Sequence, residues 1–288
     1  MDGIVIIDKP EGRSSGFVDM VCKKIFQTKK IGHIGTLDPF ATGVLAIAVN
    51  SGTKAIPYIN QASKIYEFEI QFGTRTDTGD KTGTVIEVSD RIPTETNIIK
   101  SIKKFVGEIE QIPPIYSAIK INGQPAYKLA RSGILPNIKK RIVCIRSLEL
   151  LSFTRCIAKF VAEVSAGTYI RTLAEDIAKS TGTVGHTLSL RRLKDGKFDV
   201  KQAIPLDSLR DFQDNLDSVL IPLEDVLDDI PVIFISCQNA EDLSFGRDIR
   251  VSDKFVDGLY LAKSDSGFLC IGYVETFVFS PKRLLRKK

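Results

Sequence analysis

The run Gly32-His33-Ile34-Gly35-Thr36-Leu37-Asp38-Pro39-Phe40-Ala41-Thr42-Gly43 constrains this chain more than any other segment. Glycine permits backbone angles and close approaches that side chains forbid. Pro39 fixes its own φ and pushes Asp38 out of helical geometry. The stretch predicts a tight loop that presents Asp38 and His33. Val44-Leu45-Ala46-Ile47-Ala48-Val49 follows as an apolar run, which predicts a buried strand. An acid on a rigid loop at the mouth of a strand is well placed for chemistry. Asp-Pro beside glycine is also ordinary turn chemistry, so local composition leaves both readings open.

A chain of 288 residues can hold one large domain and a small one. Its 43% apolar and 26% charged content match a globular protein. No apolar run reaches the roughly 18 residues of a membrane span, so no membrane is expected. The strand-like start Gly3-Ile4-Val5-Ile6-Ile7-Asp8 lacks a basic leader and a cleavage site, and the expectation is a cytoplasmic protein. The 5 cysteines, Cys22, Cys144, Cys156, Cys237 and Cys270, form no C-x-x-C pair and read as free thiols in or near the core. Two histidines, His33 and His186, cannot build a His-rich metal site. No P-loop or dinucleotide fingerprint occurs. The net charge of +5 permits a polyanionic partner without demanding one. Basic clusters stand at Lys23-Lys24, Lys29-Lys30, Lys139-Lys140-Arg141, Arg191-Arg192 and Lys282-Arg283 with Arg286-Lys287-Lys288. Taken singly, each reads as a solvated face.

The spacing predicts a helix capped by Ser14 or Ser15, with Phe17, Val18, Val21, Cys22, Ile25 and Phe26 on its apolar face. Tyr66-Glu67-Phe68-Glu69-Ile70-Gln71-Phe72 alternates strictly and predicts a half-buried strand. Thr76-Asp77-Thr78-Gly79-Asp80 reads as a turn. A helix is expected from Glu95 to Val106, with Ile98, Ile99, Ile102, Phe105 and Val106 inward. Strands are expected around Ile142–Phe153, Ala158–Val164 and His186–Leu193. Residues 113–141 interleave prolines and glycines with Tyr116, Tyr127, Lys120, Lys128 and Arg131. Such an insertion suits RNA contact, though an ordinary surface excursion has the same composition. A boundary is expected near residues 222–232. The short strand signals beyond it suggest a small β-barrel.

The string from Gly32 to Leu45 resembles the catalytic motif of the TruB family of tRNA pseudouridine synthases. The resemblance runs at high specificity over residues 2–225. It takes in Asp8-Lys9-Pro10, Tyr66, Gly73-Thr74-Arg75-Thr76-Asp77-Thr78, Gly167-Thr168-Tyr169-Ile170-Arg171-Thr172 and Leu190-Arg191-Arg192-Leu193. Ile34 and Phe40 depart from the family's usual threonine and leucine, which bears on loop packing rather than on activity. The tail resembles a shortened PUA-type RNA-binding domain at Phe245-Gly246-Arg247 and Ile271-Gly272. The implied fold is α+β. A large mixed, mainly antiparallel sheet flanked by helices would make a catalytic domain over residues 1–225, with an RNA-gripping insertion at 113–141. A small PUA-like β-barrel would occupy 230–288.

The implied reaction isomerises uridine to pseudouridine at position 55, in the TΨC arm of elongator tRNA, after the base is flipped out. Asp38 is then the catalytic carboxylate, as nucleophile or base, with Arg171 as its guanidinium partner. Tyr66 joins them as a catalytic residue, stacking on the target base with its hydroxyl in the pocket. Tyr169 contacts the substrate, Leu190 lines the pocket, and His33 fills the space the base vacates. Lys9 contacts phosphate or shapes the loop. Lys128, Arg131, Lys139, Lys140 and Arg141 meet the RNA backbone. The implied partner is tRNA, with no protein partner, no metal and no cofactor. A catalytically idle tRNA-binding or chaperone protein on the same fold is the alternative, and a family member acting on another RNA is a third reading.

Overall fold

The computed structural model describes residues 1–61, 63–117, 119–121, 123–134 and 136–286, with Arg131 described by its backbone alone. A ten-stranded sheet organises most of the chain. Its main path runs Ile204–Pro205, Gly3–Lys9, Thr42–Val49, Gly185–Asp195, Ser63–Phe72, Ile157–Ser165, Arg141–Thr154, Gly107–Gln111. Ile31–Ile34 pairs with Thr42–Val49 and Phe198–Asp199 with Gly185–Asp195 off this path. Two pairings are parallel: Gly3–Lys9 with Ile204–Pro205, and Thr42–Val49 with Gly185–Asp195. The second of these matters most, because it brings Arg191 beside Thr42 and Arg192 beside Gly43.

The alternating strand behaves as its pattern demands. Tyr66, Phe68, Ile70 and Phe72 are buried, and the residues between them are half-buried. Phe68 stacks on Phe160 of the neighbouring strand at 5.3 Å between ring centres. This face packs under the helices Ser15–Ile25, Glu95–Ile102 and Ile170–Ser180, whose Val18, Cys22, Ile98, Ile102, Leu173 and Ile177 join one core. The Ser14 hydroxyl accepts the Phe17 N–H and starts the first helix. The helix expected to run to Val106 ends at Ile102 and tightens into a 3₁₀ turn over Lys103–Phe105. Ile99 and Val106 are exposed, at 40% and 50%. Ile99 lies one residue, about 100°, off the narrow Ile98–Ile102 stripe, and Val106 is already extended backbone.

The strands Gly3–Lys9 and Thr42–Val49 are covered on both faces, which explains their unbroken apolar runs. Val5, Ile7, Leu45 and Ile47 face the helices. Ile4, Ile6, Val44, Ala46 and Ala48 enter a second core. That core is completed by Leu223, Val226, Leu227 and Ile230, and by Leu261, Leu269, Ile271 and Leu285 from a C-terminal sheet. The C-terminal sheet has five strands in the order Val232–Phe234, Gly258–Lys263, Leu269–Glu275, Val278–Arg286, Ile249–Arg250. It closes over a third, smaller core around Phe268, Cys270 and Phe279. All five cysteines are free; Cys22 and Cys270 are buried, while Cys237 is exposed, against the expectation of a core thiol. No helix among the described residues is long and apolar enough to cross a membrane.

Candidate active site

The loop after Ile31–Ile34 carries Asp38, and four side chains or backbone groups hold it from below. Lys9 is fully buried, and its Nζ donates to the carbonyls of Pro10 at 2.9 Å, Arg13 at 2.6 Å and Pro39 at 3.1 Å. Ser15 Oγ donates to the Leu37 carbonyl at 3.1 Å and accepts the Leu37 N–H at 2.9 Å. The Gly12 N–H donates to the Pro39 carbonyl at 2.8 Å. Arg192, 1% exposed, reaches both stems of the loop: Nη2 donates to the Gly35 carbonyl and Nε to the Val44 carbonyl, each at 2.8 Å. Together these bonds satisfy backbone carbonyls, and the Leu37 N–H, that the irregular loop and the chain beside it would otherwise leave orphaned.

Above this base, Arg171 meets Asp38 side-on. Nη2 donates to Oδ1 at 3.2 Å, and Nε lies 2.9 Å from Oδ2. The guanidinium is itself held: Nη1 donates to the Thr78 carbonyl and Nη2 to the Tyr116 carbonyl, both at 2.9 Å. Asp80 stands 3.5 Å from Nη1. Asp80 Oδ1 in turn accepts the Thr82 N–H and the Thr78 hydroxyl, both at 2.9 Å. Burial raises the Asp38 carboxyl above its ordinary value, Arg171 opposes this, and the nearby Asp80 adds to the rise.

A cavity of about 400 Å³ opens beside the pair, walled by Leu37, Tyr66, Ser117, Tyr169, Leu190 and Arg171 among others. Tyr66 and Leu190 are each 7% exposed. Burial pushes the Tyr66 phenol upward, so the ring is neutral. Tyr169 caps the helix that carries Arg171, and Gln111 clamps its backbone from both sides, accepting its N–H at 2.7 Å and donating to its carbonyl at 3.0 Å. His33 stands nearby with Nδ1 2.7 Å from Asp19 and Nε2 3.1 Å from the Thr36 hydroxyl.

The structure thus gathers Asp38, Arg171, Tyr66, Tyr169 and Leu190 around one cavity. Lys9 is a correction to the phosphate reading: with no exposed surface and three carbonyls on its ammonium, it shapes the loop and cannot reach a phosphate. Of the five expected RNA-backbone cations, Lys128 and Lys139 are exposed. Lys140 is exposed and pairs with Glu110 at 3.1 Å. Arg141 is half-buried, with its guanidinium over the Tyr169 ring at 4.9 Å. The Arg131 side chain, with Lys287 and Lys288 of the tail, lies outside the described residues.

Arg191-Arg192 is not a solvated patch. Arg191 forms a two-pronged bond to Asp8, at 3.0 and 2.7 Å, and Arg192 is interior. Sequence reasoning missed Asp80, Gln111, Lys64 and Asp195. Asp80 had a signal, since a Thr-Asp-Thr-Gly-Asp-Lys-Thr run is rich in side chains that bond their own backbone. Lys64 and Asp195 had none.

Two family models cover the chain in succession. The first, TruB family pseudouridylate synthase (N terminal domain), matches residues 23–170. The second, tRNA pseudouridylate synthase B C-terminal domain, matches residues 171–228. The tRNA pseudouridine synthase B of Gluconacetobacter diazotrophicus is 42% identical over 257 residues, covering 88% of this chain and 84% of that protein. The protein of the same name from Francisella philomiragia is 39% identical over 292 residues, covering 100% and 94%. In fold, the chain matches the solved structure titled Crystal Structure of a Cbf5-Nop10-Gar1 Complex with a TM-score of 0.73 at 24% identity, over 99% of this chain and 85% of that one. Family models that join at the helix bearing Arg171, and relatives alike over nearly the whole length, establish that the chain belongs to the TruB family of pseudouridylate synthases.

Proposed function

We propose that this protein isomerises uridine to pseudouridine in tRNA, at position 55 of the TΨC arm, with Asp38 as the catalytic carboxylate. The observation that carries the reading is the Asp38–Arg171 pair at the edge of a cavity sized for one nucleoside and walled by Tyr66 and Leu190. The relatives' shared name supplies the substrate class. In the reaction the C1′–N1 bond breaks, the uracil turns, and a C1′–C5 bond forms. C5 gives up its proton and N1 gains one, so no atom or electron is gained or lost. An isomerisation of this kind calls for no cofactor.

Asp38 serves as nucleophile at C1′ or as base at C2′, and both roles need an ionised, aimed oxygen. Arg171 aims it with two nitrogens. Tyr66 and Leu190 bracket the flipped base, Tyr169 closes the far wall, and His33 fills the gap left in the RNA stack. Lys128, Lys139 and Lys140 track the RNA backbone from the insertion. Residues 1–225 act as the catalytic unit, and the tail from 230 adds RNA contact. No protein partner is part of the scheme.

The test is to incubate the pure protein with unmodified tRNA transcript and map pseudouridine by position. The expected product is at position 55 only, with none from Asp38→Asn, which keeps RNA affinity. Wild-type protein that binds tRNA and makes no pseudouridine in it would favour the idle RNA binder, and product confined to another RNA would move the substrate.

A further inference from the structure

Under Gly35, at the stem of the Asp38 loop, three charged groups converge where no surface charge belongs. Lys64 is 8% exposed, Arg192 1% and Asp195 not at all. The Lys64 ammonium bonds Asp195 Oδ1, and Arg192 Nη1 lies 3.1 Å from Asp195 Oδ2. A Cβ on Gly35 would stand 2.8 Å from Asp195 Oδ2, 2.9 Å from Lys64 Nζ and 3.2 Å from Arg192 Nη1. Lys64 and Arg192 line the cavity, and Asp195 does not. The cavity therefore faces the cations, with the acid behind them.

Two cations on one carboxylate leave a surplus positive charge. Burying even a balanced ion pair costs desolvation free energy, and a surplus charge costs more. Arg192 has a structural reason to be there, since it holds two loop carbonyls. Lys64 has no carbonyl among its bonds to account for it; its partner is Asp195, already faced by Arg192. An excess cation in a dry cavity wall is favourable when an anion develops in front of it. Heterolysis of the C1′–N1 bond produces such an anion, because uracil leaves with the bonding electron pair. Asp38, the acid that lines this cavity, is already committed to Arg171.

We propose that Lys64, backed by Asp195 and Arg192, holds the negative charge of the uracil while it is detached from its ribose. The inference rests on the isomerase reading above. Bond changes are those of the isomerisation: the electron pair goes to the base on cleavage and returns from C5 when the new bond forms. Lys64 transfers no proton.

Leaving-group chemistry tests this. 5-Fluorouracil is a more acidic leaving group than uracil and needs less help. Lys64→Met should slow single-turnover consumption of uridine RNA at least tenfold, with RNA affinity within about threefold of wild type. On 5-fluorouridine RNA the same variant should lose less than threefold, and Lys64→Arg should keep most of the rate on both. Equal losses on the two bases would overturn the proposal and reduce Lys64 to packing. Should Lys64→Met not fold, the wild-type protein carries a second test. 5-Nitrouracil, ionised at neutral pH, should compete with RNA at least tenfold better than neutral uracil; an anion that competes no better overturns the proposal. Failure of wild-type protein to make any pseudouridine would instead sink the isomerase reading.

Discussion

Arg171 earns its position through geometry more than charge. Its fork contacts Asp38 with two nitrogens while donating to the Thr78 and Tyr116 carbonyls. An ammonium has the charge but not the planar spread. Arg171→Lys should therefore lose turnover severely; a loss within about threefold, roughly 0.7 kcal/mol of barrier, would rule out the two-pronged role. The raised Asp38 carboxyl sets a pH dependence. On the proposed mechanism the reactive form is the carboxylate, so turnover should be present above the raised value and be lost as pH falls through it. Asp80 contributes to the rise, so Asp80→Asn should move this acid limb to lower pH. Its side-chain oxygen still accepts from Thr78 and Thr82, which separates the charge effect from loop collapse. A pH–rate profile at single turnover checks the direction, and a limb that stays put or moves up would contradict it.

At the scale of elements, the parallel contact of Thr42–Val49 with Gly185–Asp195 leaves no room for a side chain. Gly43 has φ +99°, and a Cβ there would lie 2.2 Å from the Arg192 carbonyl oxygen. Backbone cannot yield as a flexible side chain can, so Gly43→Ala should cost more than about 3 kcal/mol in denaturant unfolding. The same substitution at Gly12, also at positive φ but with open space around it, should cost far less. The insertion tells a different story. With Lys140 on Glu110 and Arg141 over Tyr169, Lys128 and Lys139 are the described cations of that group with no such commitment. Neutralising these two should lower the salt slope of tRNA binding by about two, with turnover recovered at saturating RNA. Unchanged affinity with a large fall in saturated rate would mean that the insertion assembles the cavity.

For the whole molecule, the two sheets share apolar packing. Leu261, Leu269, Ile271 and Leu285 of the C-terminal sheet bury the outer face of Ile4, Ile6, Val44, Ala46 and Ala48. Those are the strands that hold Lys9 and lead out of the Asp38 loop. Removing residues beyond about 230 should expose that face and lower stability, beyond any loss of RNA contact. Ile271→Ala should cost about 2–5 kcal/mol. Unfolding followed by probes placed in each sheet should give one coincident transition. Separate transitions would show that the tail folds independently and serves RNA alone.

Short-range rules were legible in the residues themselves. The Tyr66–Phe72 alternation, the Ser14 cap, the turn glycines and the Asp38 loop all follow from backbone sterics and periodicity within a few positions. The motif string pointed to the family and to Asp38, and the wider resemblance pointed to Arg171, Tyr66, Tyr169 and Leu190, which the fold brings with it to one cavity. Burial of charge was not legible, because it depends on neighbours far along the chain. Asp38 and Arg171 lie 133 positions apart, and Lys64 and Asp195 lie 131 apart. Arg191-Arg192 looks like a basic patch in one dimension. Only the crossing of Gly185–Asp195 beside Thr42–Val49 sends one of these arginines to Asp8 and the other under Gly35. Local sterics and periodicity marked the loop that carries the acid and the apolar strand that follows it, while the strand Ile31–Ile34 that leads into it was read as part of the loop. The electrostatics of the site came only with packing, since a side chain's dielectric and partners are set by which elements pack around it.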